Sequence, residues 1–173
     1  MSYVPYIDFT RRYASLRLEL EQAAAAVMAE SRYIMGPRLQ AFENEFAAFC
    51  GATDCIGTGN GLDALELILR GMDIGAGDEV IMSAGGFIAT PLAVLAAGAV
   101  PVFVECLPWG NIDSARIERA VTAKSKAILL THLYGLPADM DSIHAVARKY
   151  SLKIIEDACQ AHGSRYKGRL CGS

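Results

Sequence analysis

Up to residue 52 the apolar positions of this chain recur at helical spacing; beyond it they come in short runs. In "RRYASLRLELEQAAAAVMAESRYIMGPRLQAFENEFAAFCGA" the residues Leu16, Leu20, Ala23 and Val27 fall on one helix face, and Gly36-Pro37 breaks the pattern. Ala41, Phe46 and Phe49 resume it until a stop near Gly51. The spacing predicts two helices in a helical lead-in, residues 1–52. From 53 to 173 strand-like runs ("DCIG", "DEVIMS", "VPVFVE", "KAILLTHL", "LKIIED") alternate with helix-like ones ("NGLDALELILRGM", "IATPLAVLAAG", "DSARIERAVT", "DMDSIHAVARKY"). The strand runs are continuously apolar, as expected where both faces of a sheet are covered. Strict alternation with helices predicts an α/β fold: a mostly parallel sheet with right-handed crossovers and helices on both faces.

Composition narrows the function classes. The 173 residues suffice for one domain with a core, and 53% of them are hydrophobic. A net charge of -3, with acids and bases mixed, argues against a nucleic-acid partner. "MSYVPYIDFTRRY" has no apolar core behind a basic start, so no signal peptide is expected. The longest apolar region, "PLAVLAAGAVPVFV", is broken by Gly98 and Pro101 and is not expected to span a membrane. Five scattered cysteines without a CxxC pair, and only three histidines, give no metal-site spacing. A reduced, cytoplasmic protein is the expectation.

In a parallel α/β sheet, ligands bind beyond the carboxyl ends of the strands. That rule points to "GTGNGLDA", "SAGGF", "HLYG" and "EDACQAHG". The first is a glycine-rich turn entering a helix. It is either a tight strand–helix turn or a phosphate cradle built from free N–H groups at the helix start. Gly59, Gly61 and Ala64 also fit the dinucleotide pattern G-x-G-x-x-A, but that pattern requires an acid at the end of the next strand. Here Asp78 and Glu79 stand at its beginning. Phe87, after Gly85-Gly86, is either core or a flat face for an aromatic ligand.

The last strand ends on two acids, Glu156 and Asp157, which point to opposite faces if the strand is regular. A carboxylate is costly to remove from water unless a positive group or a hydrogen-bond donor meets it. Asp157 is either a helix cap or ion-pair member, or the partner of a protonated ring nitrogen. Gln160 could donate to a neighbouring oxygen, and His162 either lines the same pocket or is a satisfied structural histidine. A phosphate cradle, an aromatic plate and a ring-nitrogen carboxylate together describe a site for pyridoxal 5'-phosphate (PLP).

The stretches "GNGLDALELIL", "GDEVIMSAGGFIAT", "GAVPVFVE", "NIDSARIERAVTAKSKAILLTHLYGLPADMDSI" and "LKIIEDACQAHGSRYKGRLCG", in this order, resemble the DegT/DnrJ/StrS family of PLP-dependent sugar aminotransferases. "GNGLDAL" is similar to the branch that aminates C3 of dTDP-keto-hexoses. The resemblance implies the large domain of an aspartate aminotransferase-like PLP-dependent transferase, here incomplete. It implies phosphate contacts from the amides of Gly61 and Leu62, Phe87 stacked on the ring, Asp157 at the ring nitrogen and Gln160 near the ring hydroxyl. It further implies a nucleotide-linked keto-sugar substrate, glutamate as amino donor, a homodimer in the full-length family, and a product used in surface polysaccharide or glycoside assembly.

The sequence departs from the family pattern in three places. Leu62 stands where many members have threonine, and "SAGGF" where many have a Pro/Asn/Thr-rich turn. The family's Schiff-base lysine lies in a segment beyond "YKGR", and none of Lys124, Lys126, Lys149, Lys153 and Lys167 matches it. Without that lysine the cofactor lacks its covalent anchor and base. The 173 residues by themselves are therefore expected to bind PLP weakly and not to transaminate. The alternative from a different class is a catalytically inactive product or a non-enzymatic sugar-nucleotide or PLP-binding module.

Overall fold

A computed structural model describes residues 4–173. Contacts divide the chain into two compact units, one reaching to Glu45 and the other Phe46–Ser173. Helix α1, Thr10–Glu30, belongs to the first, and α2, Pro37–Cys50, runs from the first into the second. The stripe of Leu16, Leu20, Ala23 and Val27 lies on α1 as its spacing predicts, but no residue of α1 is buried.

The second unit follows the alternation. It contains α3 (Gly61–Gly71), β1 (Glu79–Ser83), α4 (Ala89–Ala96), β2 (Val100–Val104) and α5 (Ser114–Ala120). It continues with β3 (Ser125–Thr131), α6 (Met140–Tyr150), β4 (Lys153–Asp157) and a hairpin of β5 (Arg165–Tyr166) and β6 (Arg169–Leu170). The four long strands pair in parallel, in the order β2-β1-β3-β4. One expected strand is missing. The stretch around Cys55 and Ile56 is irregular, Ile56 is exposed, and β1 to β4 pair only with one another. A short apolar run becomes a strand only when a neighbour supplies a ladder of hydrogen bonds, and none of the described strands does so here.

The buried strand residues meet one of two cores, whereas β2, at one end of the strand order, leaves Val100 and Phe103 exposed. Val80, Met82, Leu129 and Ile155 face Leu65 and Leu69 of α3 and Ala93 and Val94 of α4. Ile81, Ile128 and Leu130 face Ile117 of α5 and Met140, Ile143 and Ala147 of α6. Period-two alternation therefore fixes what happens at the end of β4. Asp157 follows Ile155 toward α3 and α4, whereas Glu156 lies on the α5 and α6 side. No helix among the described residues is long and apolar enough to cross a membrane.

Candidate functional site

Beyond the carboxyl ends of β1, β3 and β4 lies a cavity of about 570 Å³, within the range of small-molecule sites. Its lining includes Gly61, Leu62, Phe87, Asp157 and Gln160, contributed by three separate stretches of chain. The order β2-β1-β3-β4 reverses direction between β1 and β3, the kind of switch point where such sheets take ligands.

The start of α3 forms one wall. Asn60 caps the helix, its side chain accepting the N–H of Asp63 at 3.0 Å. The first bond of helical spacing runs from Ala64 N–H to the carbonyl of Asn60. The N–H groups of Gly61 and Leu62 precede it and remain for an anion. Gly61 is glycine for reasons of space: a Cβ there would come 3.1 Å from Cys159 Sγ. Burial, followed by the Asp157 carboxylate, pushes the Cys159 thiol up to about 11. Cys159 is thus a neutral wall of the cavity at physiological pH. Gly61→Ala is expected to weaken phosphate-ligand binding several-fold, about 1 kcal/mol for mild overpacking, and adding Cys159→Ala should recover most of the loss. A titration with PLP reads both; no recovery in the double variant would show that the cradle is limited elsewhere.

Phe87 also lines the cavity, 66% exposed, in the turn between β1 and α4. Gly86 in that turn takes a φ of 134°, a region that residues with a side chain rarely adopt. Asp157 sits at the end of β4, with Oδ1 accepting the N–H of Cys159 at 3.1 Å and Oδ2 3.5 Å from the Thr90 hydroxyl. Gln160 is turned by the loop after β3: its Oε1 accepts the N–H of Tyr134 at 2.8 Å, which leaves its amide nitrogen to donate. That loop is held by Asn111, 2% exposed. Its Nδ2 donates to the Leu136 carbonyl at 2.9 Å and its Oδ1 accepts from Leu133 N–H at 3.3 Å.

His162 is not among these residues. It lines a separate cavity of about 190 Å³ with Phe46, Phe49 and Cys50, its ring edge-on to Phe46 at 5.6 Å.

Glu156 answers to a different partner, which the sequence did not disclose. His132, 0% exposed at the end of β3, approaches Glu156 Oε2 with Nε2 at 2.8 Å. Its Nδ1 accepts the N–H of Ala138 at 3.0 Å, so the proton sits on Nε2 and is donated to the carboxylate. Gly172 N–H also donates to Oε2, at 2.8 Å. Burial pushes the Glu156 carboxyl up, but His132 and the Gly172 amide together outweigh it and hold the carboxyl below the usual glutamate range. The signal was present in the pairing of the strands. Leu130 lies beside Glu156, and the residue two further along β3 returns to the same face.

Asp78 and Glu79 are engaged at the other end of the sheet. Asp78 accepts from Gly75 N–H at 3.1 Å and Glu79 from the Thr122 hydroxyl at 2.5 Å. Among the described residues no lysine lines the 570 Å³ cavity, and no group of three or more His, Cys, Asp or Glu side chains is placed to hold a metal. Lys126, Lys149 and Lys167 pair with Asp78, Glu118 and Asp141 respectively.

Residues 15–173 match the family model described as the DegT/DnrJ/EryC1/StrS aminotransferase family. The chain belongs to this family. Among its relatives in the family is the dTDP-3-amino-3,6-dideoxy-alpha-D-galactopyranose transaminase of Aneurinibacillus thermoaerophilus, 47% identical over 171 residues, which cover 98% of this chain and 47% of that protein. The crystal structure of S. venezuelae DesV superposes with a TM-score of 0.96 at 46% identity, covering 100% of this chain and 47% of DesV. The structure titled ntda from Bacillus subtilis, with bound cofactor PMP, gives 0.91 at 36% identity, covering 99% and 40%. The chain thus spans about half the length of the family members it matches. Its four-stranded parallel sheet is part of the aminotransferase large domain.

Proposed function

We propose that residues 46–173 supply the cofactor-facing half of a PLP site in an aminotransferase that acts on a nucleotide-linked keto-sugar. The carrying observation is the single cavity that gathers Gly61, Leu62, Phe87, Asp157 and Gln160 from distant parts of the chain. The donor set fits the cofactor. Two free N–H groups at a helix start suit a phosphate, an exposed aromatic face suits a planar ring, and a carboxylate opposite suits a ring N–H. The space under Gly61, which a Cβ would fill, lets the backbone approach closely. When bound, PLP supplies an electron sink and carries the amino group between donor and acceptor.

This chain's residues then have separable tasks. The amides of Gly61 and Leu62 bind the phosphate, and Phe87 covers one ring face and excludes water from it. Asp157 accepts the ring N–H and keeps the proton on the ring nitrogen. Gln160, with its oxygen already bonded to Tyr134, offers its amide nitrogen to the ring hydroxyl. The lysine that anchors the cofactor is proposed to come from outside the matched half. Glutamate as amino donor and a homodimer that completes each site belong to the same reading. The dTDP-amino-sugar activity named for the Aneurinibacillus relative supports a dTDP-linked hexose as substrate.

The test is direct. The full-length protein, given PLP, glutamate and a dTDP-3-keto-6-deoxyhexose, should form the amino sugar and 2-oxoglutarate in equal amounts, read by mass spectrometry. Absence of both PLP binding and transfer would sink the proposal. One observation, the lack of a lysine along the cavity, favours a second reading for residues 1–173 in isolation: a module that binds PLP or a sugar nucleotide without transferring anything. Amination by the isolated 173 residues would overturn that second reading.

A further inference from the structure

The two oxygens of Asp157 are held differently. Oδ1 is anchored locally, by the amide of Cys159 two residues on. Oδ2 faces the hydroxyl of Thr90, which comes from 67 positions earlier in the chain. Thr90 is 6% exposed, in the first turn of α4. A buried hydroxyl requires a partner, and the one it has here is a carboxylate. Its β-branched side chain has few rotamers, so the hydroxyl direction is set by the helix. Thr90 N–H also donates to the carbonyl of Phe87 at 3.1 Å. The same turn of chain therefore presents the aromatic plate and touches the carboxylate opposite it.

We propose that Thr90 is a positioning residue: its hydroxyl steers Asp157 Oδ2 toward the ring nitrogen of the bound cofactor. Through one turn of α4 it couples the ring-face contact to the ring-nitrogen contact. At 3.5 Å the bond is long, and contacts of this kind tighten when the ligand arrives. The inference rests on the PLP reading above.

Two substitutions separate direction from packing. Thr90→Val keeps the volume and removes the hydroxyl; Thr90→Ser keeps the hydroxyl and removes a methyl. In the full-length protein, PLP affinity measured by fluorescence titration is expected to fall about tenfold in Thr90→Val, the effect of one hydrogen bond to a charged group. It should stay within about threefold of the parent in Thr90→Ser. In an Asp157→Ala background, Thr90→Val should change nothing further. Equal losses in the valine and serine variants, or an undiminished valine effect without Asp157, would overturn the inference and leave Thr90 a packing residue. Tight binding by the parent and by Thr90→Val alike would overturn it alone. Failure of the parent to bind PLP would overturn the cofactor reading together with it.

Discussion

Asp157→Asn is expected to cost the protein most of its affinity for PLP, about a hundredfold, and to reduce amino transfer further still. The substitution is nearly isosteric. An asparagine oxygen can still accept the Cys159 amide, so the turn after β4 keeps its anchor. What is lost is the negative charge that the proposed function places beside the ring nitrogen. Removing one partner of a fully buried ion pair costs about 3–5 kcal/mol. Asp157 is only half-buried, which argues for the lower part of that range, and 1.4 kcal/mol is a factor of ten in affinity. Transfer suffers more because a neutral ring nitrogen makes a poorer electron sink than a protonated one. Thermal unfolding without cofactor should be unchanged within about 2 °C. An affinity within threefold of the parent would remove Asp157 from the ring nitrogen.

The second large effect concerns stability. His132→Phe is expected to destabilise the fold by about 3 kcal/mol, since it removes a hydrogen bond to a charged carboxylate and strands the buried N–H of Ala138. For a chain of this size the melting temperature should drop by about 10 °C. The pH dependence identifies the cause. With His132 in place the Glu156 carboxyl is held below its ordinary range. Its contribution to stability is complete above about pH 4.3 and is lost as the pH falls through the lowered folded-state value. Without His132, burial, the largest influence on this carboxyl, is opposed by less. Its folded-state value moves up, so less of the stability that its ionisation brings at neutral pH survives. The deficit of the variant, measured by urea denaturation, should therefore be larger at pH 7 than at pH 4.5. A deficit that does not vary with pH would assign the whole effect to packing.

Much of the fold was legible because a parallel sheet with both faces covered writes itself as apolar runs between amphipathic helices. Val80 to Met82 and Ile128 to Leu130 are such runs, and each of these residues is buried. The site was legible because glycines before a helix and an acid at a strand end both lie at the ligand-binding edge of such a sheet. Cys55 and Ile56 misled because local apolarity says nothing about whether a neighbouring strand is present. The stripe on α1 correctly marked a helix, but none of its residues is buried: spacing defines a face, not what covers it. Thr90, Asn111 and His132 were invisible for another reason. Their partners lie 67, 22 to 25, and 24 positions away, and only the folded sheet brings them together.

The alternation at the end of β4 has a consequence for errors in assembly. Glu156 and Asp157 are chemically near-twins, and the strand could slide along β3 by one residue with little change in its backbone bonding. Such a slip would turn every side chain to the opposite face. Asp157 would meet the ring of His132 and Glu156 would enter the cavity, one methylene too long for the place. Ile154 would take the place of Ile155 with no change of side chain, while Ile155 would take the place of Glu156 beside Leu130. The shifted strand is opposed by Lys153, which would take the place of Ile154 against the α5 and α6 core, as well as by the two acids. Glu156, grasped by both His132 and Gly172, acts as a ratchet tooth, and the setting it enforces brings the shorter acid to the cavity.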